Sequence, residues 1–275
     1  MSGGNSNGIP KGFSRDFSGH EAACIGVFGG EGVGKTRILT TAGEWAATKG
    51  TTPGWIVLDR KTRLTVRRTC EELGIDQPLI NREDFITAKE ALSIANMDRE
   101  KDDVKIMAIY TDAVKRVTES CMALAADSSI DPIVLETGSS LWDWISYSHF
   151  GRKQGVGKSR VWGPPKQDWT DLLDAMSHKT VLISLWARDE YKGDERTGRT
   201  KPDGPPHLGY TMTTLVRLNH DDRRKLKDGE TFADRFSLDI YESQERKDLE
   251  GANDILTGEM ITFQNLMLQI RPEEC

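Results

Sequence analysis

The chain has 275 residues, enough to bury the core of one large α/β domain or of one domain with appendages; the composition favours the single domain. With 37% hydrophobic and 29% charged residues it is neither a membrane-embedded nor a disordered chain, and a formal charge of -6 leaves nucleic-acid binding only to a local basic patch. No apolar run approaches the roughly 18 residues of a membrane span and no charged-then-apolar leader precedes the first strand, so a cytoplasmic protein with no membrane partner is expected.

Residues 1–19, "MSGGNSNGIPKGFSRDFSG", lack periodicity and predict a flexible arm, leaving 20–275 as the domain. "ACIGVF" (23–28) reads as a buried strand, 35–48 as a helix, "GWIVLD" (54–59) as a second strand and 62–74 as a helix ending at Gly74. "TAKEALSIANM" and "KIMAIYTDAVKRVTESCMALAAD" read as helices, the second with Ile106, Ile109, Ala113, Val117, Cys121 and Leu124 on one core-facing stripe. "PIVLET" (132–137) and "TVLISLW" (180–186) are further apolar strands separated by helical material, and "TTLVRL" and "RFSLDIYES" follow late. Alternation of this kind predicts an α/β fold: a mostly parallel central sheet flanked by helices, finished by a β-meander and a C-terminal helix within 210–275. The scattered Cys24, Cys70, Cys121 and Cys275 read as reduced thiols, and the five histidines show no ligand spacing.

Gly29, Gly34, Lys35 and Thr36 satisfy GxxxxGK[ST], between an apolar strand and a helix-forming run, as a phosphate-binding loop requires. The stretch Gly29, Gly30, Glu31, Gly32, Val33, Gly34, Lys35, Thr36 and Arg37 is therefore the expected nucleotide site: backbone N–H groups turn toward the phosphates, Lys35 reaches the β and γ oxygens, and Thr36 ligates Mg²⁺. The later "GRKQGVGKS" fails the pattern, because Arg152 occupies its first glycine position and no strand precedes it. "TKPD" (200–203) imitates a guanine-reading motif but sits in a Gly/Pro-rich turn. Hydrolysis also needs a carboxylate at the end of a neighbouring strand; Glu136, after three apolar residues, supplies one, with a surface carboxylate as the alternative.

"GRKQGVGKSRVWGPPK" (151–166) holds Arg152, Lys153, Lys158, Arg160 and Lys166 with no acidic residue, between Trp144 and Trp162. It is the candidate single-stranded DNA loop, the first four cations being the expected contacts; a solvated loop with core tryptophans is the open alternative. "RDEYKGDERTGRTKPDGPPH" (188–207) reads as an exposed, charge-balanced hairpin, from which Arg199 or Lys201 could reach a neighbouring subunit's γ-phosphate as a trans-acting finger.

The order of these pieces resembles the RecA-like recombination ATPases, most closely the phage-encoded single-strand-annealing or recombinase-type members, over residues 22 to 220. "GWIVLDRKTRLTVRRTCEELGID" resembles their second strand and helix, "DPIVLETGSSLW" their metal-carboxylate strand, "KTVLISLWARDEYKG" the strand leading from the γ-phosphate to a DNA-contacting loop, and "VWGPPKQDWTDLLDAM" a step of the phage members. The resemblance implies a RecA-like P-loop fold, ATP with Mg²⁺ held by Thr36 and Glu136, and an ATPase acting on single-stranded DNA in recombination, annealing or replication. It further implies a homo-oligomeric ring or filament, a single-strand-binding protein as a further partner, and the bacterial host cytoplasm. The chain departs from the family at two positions: Lys61 stands where the catalytic glutamate is expected and Trp186 where the γ-phosphate-sensing polar residue is expected. Protonated lysine is no general base, so beside Lys35 the catalytic role falls to Asp59 or Glu136, or the protein is a nucleotide-binding structural or regulatory subunit with little or no turnover.

Overall fold

Short apolar strands with both faces covered dominate the structure, a computed structural model that describes residues 22–74, 79–100, 102–151, 162–192, 195–206, 208–221 and 231–274. The arm expected over 1–19 and the loop cations Arg152, Lys153, Lys158 and Arg160 lie outside the described residues.

In chain order the first half comprises β1 (Cys24–Gly29), α1 (Lys35–Thr40), α2 (Ala42–Thr48), β2 (Thr52–Val57), α3 (Arg60–Leu73), β3 (Leu79–Asn81), α4 (Arg82–Phe85), α5 (Ala88–Glu100) and α6 (Asp103–Ala126). Then follow β4 (Ile130–Glu136), α7 (Gly138–Phe150), α8 (Gly163–Ala175), β5 (Val181–Lys192), β6 (Glu195–Asp203), α9 (Leu208–Thr211), β7 (Thr214–His220), β8 (Phe236–Ser243), β9 (Leu256–Thr257) and α10 (Phe263–Ile270).

The sheet runs β3-β2-β4-β5-β1-β7-β8-β9, with β6 paired to β5 off that path. The strands β3, β2, β4, β5, β1 and β7 are mutually parallel, and β6, β8 and β9 pair antiparallel, so the sheet is mixed. The first of the late strands, β7, thus belongs to the parallel sheet, and the meander turns back only from it. Alternate strand residues serve two cores. Ile25, Val27, Trp55, Val57, Val134 and Leu182 pack under α1, α2, α3 and α10, whereas Phe28, Ile56, Ile133, Leu135, Ile183 and Leu185 pack under α6, α7 and α8.

Helix α6 buries Ile106, Tyr110, Ala113, Val117, Cys121 and Leu124. Tyr110 takes the stripe position expected for Ile109, because a 4-3-4-4-3 spacing follows the helical period more closely and its ring stacks on Tyr147 at 4.8 Å. The single helix expected over 35–48 is divided at Thr41, whose hydroxyl donates to the Ile38 carbonyl (2.6 Å) and accepts from the Phe263 N–H (2.8 Å). That second bond seats α10 on α2, where Phe263 meets the Trp45 ring edge-on at 5.3 Å. Thr41→Val keeps the shape but leaves the buried Phe263 N–H unpaired; a loss of about 2 kcal/mol is expected, read as a lower urea midpoint at unchanged slope.

Candidate functional site

Because β1, β2, β4 and β5 are parallel, their carboxyl ends share one edge of the sheet, where the chain passes from strand to helix and where ligands of open α/β sheets collect. Gly29 closes β1, paired with Trp186 of β5 on one side and Leu218 of β7 on the other. Asp59 follows β2, and Glu136 closes β4 opposite Val57. The Leu58 N–H donates to the Glu136 carbonyl at 2.5 Å, tying these two strand ends together.

At this edge lies a cavity of about 620 Å³ lined by residues 29–37, Asp59, Thr62, Thr65, Glu136, Thr137, Trp186 and Ala187. Its floor is the turn from β1 into α1. A side chain at Gly29 would place its Cβ 2.5 Å from the Leu218 carbonyl oxygen, so the turn can pass against β7 only without one. Gly34 starts α1 at φ 91°, a left-handed conformation that glycine adopts without steric cost. The Lys35 ammonium lies back along the turn, donating to the carbonyls of Gly29 (2.9 Å) and Gly30 (2.6 Å). Burial lowers its pKa, while the negative charges of Glu136 and Glu31 pull it back up.

Opposite Lys35, Glu136 is 2% exposed. Its Oε1 receives a long hydrogen bond from the Thr36 hydroxyl (3.5 Å), and its buried Oε2 has no partner among the described residues. Burial pushes its pKa up to about 7; the Ser184 hydroxyl, the Lys35 charge and the Thr36 hydroxyl favour the carboxylate, and Asp59 opposes it. Ser184 Oγ is itself buried without a hydrogen bond of regular geometry, so its influence on Glu136 is one of proximity. Two oxygens at the cavity floor, from Thr36 and Glu136, with one carboxylate lone pair unspent, suit a hard divalent cation that takes its remaining ligands from water and phosphate. Among the described residues no cluster of three or more His, Cys, Asp or Glu is found. The donor set of Thr36 and Glu136 fits Mg²⁺, and the volume falls within the ~300–1,000 Å³ range of small-molecule sites.

The structure brings together Gly29 through Arg37, Asp59 and Glu136, all expected from sequence. Arg199 and Lys201 lie outside the cavity on β6, Arg199 exposed and Lys201 half-buried opposite Arg188. Of the tryptophans flanking the basic loop, Trp144 is buried in the core, and Trp162 stacks on Trp142 at 5.6 Å. Sequence reasoning missed Thr62, Thr65 and Thr137. Spacing by three on α3 was the available signal for the first two: it turns both hydroxyls toward the face that also carries Asp59.

No protein-family model matches the chain, and no curated protein matches it. Among solved structures, that of the RadB recombinase aligns over 86% of this chain and 89% of that chain, at 12% identity and a TM-score of 0.45. Among the described residues no helix is long and apolar enough to cross a membrane.

Proposed function

We propose that the chain is a RecA-like P-loop protein that binds ATP with Mg²⁺ in this cavity and acts on single-stranded DNA in phage recombination, annealing or replication. One observation carries the nucleotide half: a glycine turn with its lysine faces a buried strand-end carboxylate with an unpaired oxygen, across one cavity. Lys35 binds β and γ oxygens, and the backbone N–H groups of Gly30 to Gly34 hold the phosphate chain. Thr36 and Glu136 hold Mg²⁺, which when bound neutralises triphosphate charge and polarises its terminal phosphorus. Asp59, with Thr62 and Thr65 beside it, forms the wall where an attacking water is positioned; its proton passes to Asp59 or to Glu136.

The DNA half rests on the basic segment with Arg152, Lys153, Lys158 and Arg160, and on assembly of a homo-oligomer in which Arg199 or Lys201 enters a neighbour's site. A single-strand-binding protein is the further partner of this reading, in the host cytoplasm. The second reading, a nucleotide-binding structural or regulatory subunit with little or no turnover, is favoured by Lys61, which stands in the first turn of α3 where the resemblance places the catalytic glutamate, and by Glu136 in place of the usual aspartate.

Calorimetric titration of ATP with Mg²⁺ tests the first half, and retention of labelled single-stranded DNA on filters at low salt, with and without ATP, tests the second. Heat of binding and ATP-dependent retention are expected. Binding without retention removes the recombination role and leaves the regulatory subunit; no heat removes both readings.

A further inference from the structure

The strand β5 outruns its parallel neighbours. Beyond Trp186 it pairs, among the described residues, with β6 alone, and the two form an antiparallel ribbon reaching about 20 Å past the sheet edge. Outward from the root the ribbon is mostly exposed, so its own cross-strand bonds do most of the holding. At the root the situation differs. Trp186 and Asp203 are the first cross-strand pair, and both are tied to the same hydroxyl: Ser139 accepts from the Trp186 N–H at 2.8 Å and donates to the Asp203 carbonyl at 2.5 Å. Ser139 is 2% exposed and sits in the first turn of α7, three residues after Glu136. Its turn is fixed in place by Thr137, whose side chain accepts from the Ser140 N–H at 3.2 Å. A second tie at the root, Arg188 to Asp203 at 3.4 Å, is long and partly exposed, and adds less.

One side chain therefore joins two bodies: the segment that carries Glu136 and Thr137 into the cavity, and both strands of a ribbon whose root residues Trp186 and Ala187 line the same cavity. A hydroxyl that donates one bond and accepts one ties α7 to both strands, and sliding of α7 against β5 by much more than about half an ångström loses a bond. We propose that Ser139 is the positioning residue that makes the ribbon respond to occupancy of the cavity: a ligand engaging Glu136 holds the first turn of α7, Ser139 holds the root, and the ribbon tightens. The inference rests on the nucleotide reading above, and it adds to that reading a residue outside the cavity together with the element it controls. A ligand produces the effect to the extent that it favours the clamped state.

Hydrogen exchange on the whole protein tests it. Without ligand, the Trp186 amide of Ser139→Ala is expected to exchange about tenfold faster than wild type, since its acceptor is gone. With ATP and Mg²⁺, the amides of 189–192 and 196–200 are expected to slow about tenfold in wild type and in Ser139→Thr, which keeps the hydroxyl, and to remain fast in Ser139→Ala while nucleotide affinity stays within about threefold. Trypsin cleavage after Arg196 and Arg199 gives an independent reading of the same change and requires no more than the wild type and one folded variant. Wild type that binds nucleotide with an unchanged ribbon overturns the coupling alone, as does Ser139→Ala responding like wild type. Wild type that fails to bind nucleotide overturns the coupling together with the functional reading.

Discussion

Lys35→Ala is expected to weaken Mg²⁺-dependent ATP binding about a hundredfold, because a charge-assisted contact to phosphate is worth roughly 1.5–3 kcal/mol and the alanine removes both that contact and the charge. In the structure the ammonium is already held in the cavity floor by the Gly29 and Gly30 carbonyls, neutral acceptors that leave its full positive charge and one N–H for phosphate. Ligand phosphate thus meets a lysine whose rotamer freedom is largely spent, and the affinity gained per contact is correspondingly high. Lys35→Arg is expected to restore little: a planar guanidinium does not fit the space between those two carbonyls and a tetrahedral phosphate. Fold stability should change far less than affinity, since the two lost bonds lie at the rim of a turn. Isothermal titration beside a urea melt separates these outcomes, and equal affinities for wild type and Lys35→Ala would remove phosphate binding from this turn altogether.

The second large effect concerns Glu136 and pH. Its carboxyl titrates near 7 in the folded protein, against an ordinary value of 4.5, with burial as the leading cause. Between those values the folded state holds a proton that the unfolded chain has released. In EDTA, the stability contributed by this group is therefore complete below pH 4.5, falls as pH rises through 7, and is gone above it. The full swing corresponds to about 3 kcal/mol. Glu136→Gln removes the titration and keeps the volume, so urea midpoints at pH 5 and pH 8 are expected to converge in the variant and to differ in wild type. The same substitution is expected to cost at least about tenfold in ATP affinity with Mg²⁺, because a neutral amide gives the cation a weaker ligand. A variant more stable at pH 8 yet poorer at binding is the signature of a carboxylate retained for a ligand. A wild type with no pH-dependent difference from Glu136→Gln would show that the group is already charged and solvated.

How much of this was legible in the sequence follows from where each interaction lies along the chain. The turn from Gly29 to Thr36 is local: its chemistry needs fixed residue types at fixed spacing, and an apolar strand with a helix-forming run frames it. Glu136 was legible for a similar reason, as the first charge after a buried strand. Thr62 and Thr65 carried only the weak signal of their spacing by three, and Ser139 acts across elements with no pattern in its own segment to mark it. Both strands β3 and β9, of three and two residues, are too short to show any period. The exposed hairpin expected over 188–207 is present as the outer half of β5 paired with β6; its charge balance and turn residues marked it, whereas the strand ends did not show, because a ribbon in solvent has no reason to alternate polar and apolar residues. In "KIMAIYTD" the apolar stripe was read through Ile109 when the larger ring of Tyr110 holds the core position. Trp144, read as a possible stacking platform, lies in the core because α7 packs under the sheet on that side.

The bond between Thr41 and Phe263 gives α10 a role out of proportion to its length. Eight residues near the far end of the sequence cover Trp45 and the layer on which the turn from β1 into α1 is built. Proteolytic trimming or a bulky fusion there would uncover oily surface behind the turn and slacken it from the rear, so a preparation lacking the tail would register as inactive with every site residue intact.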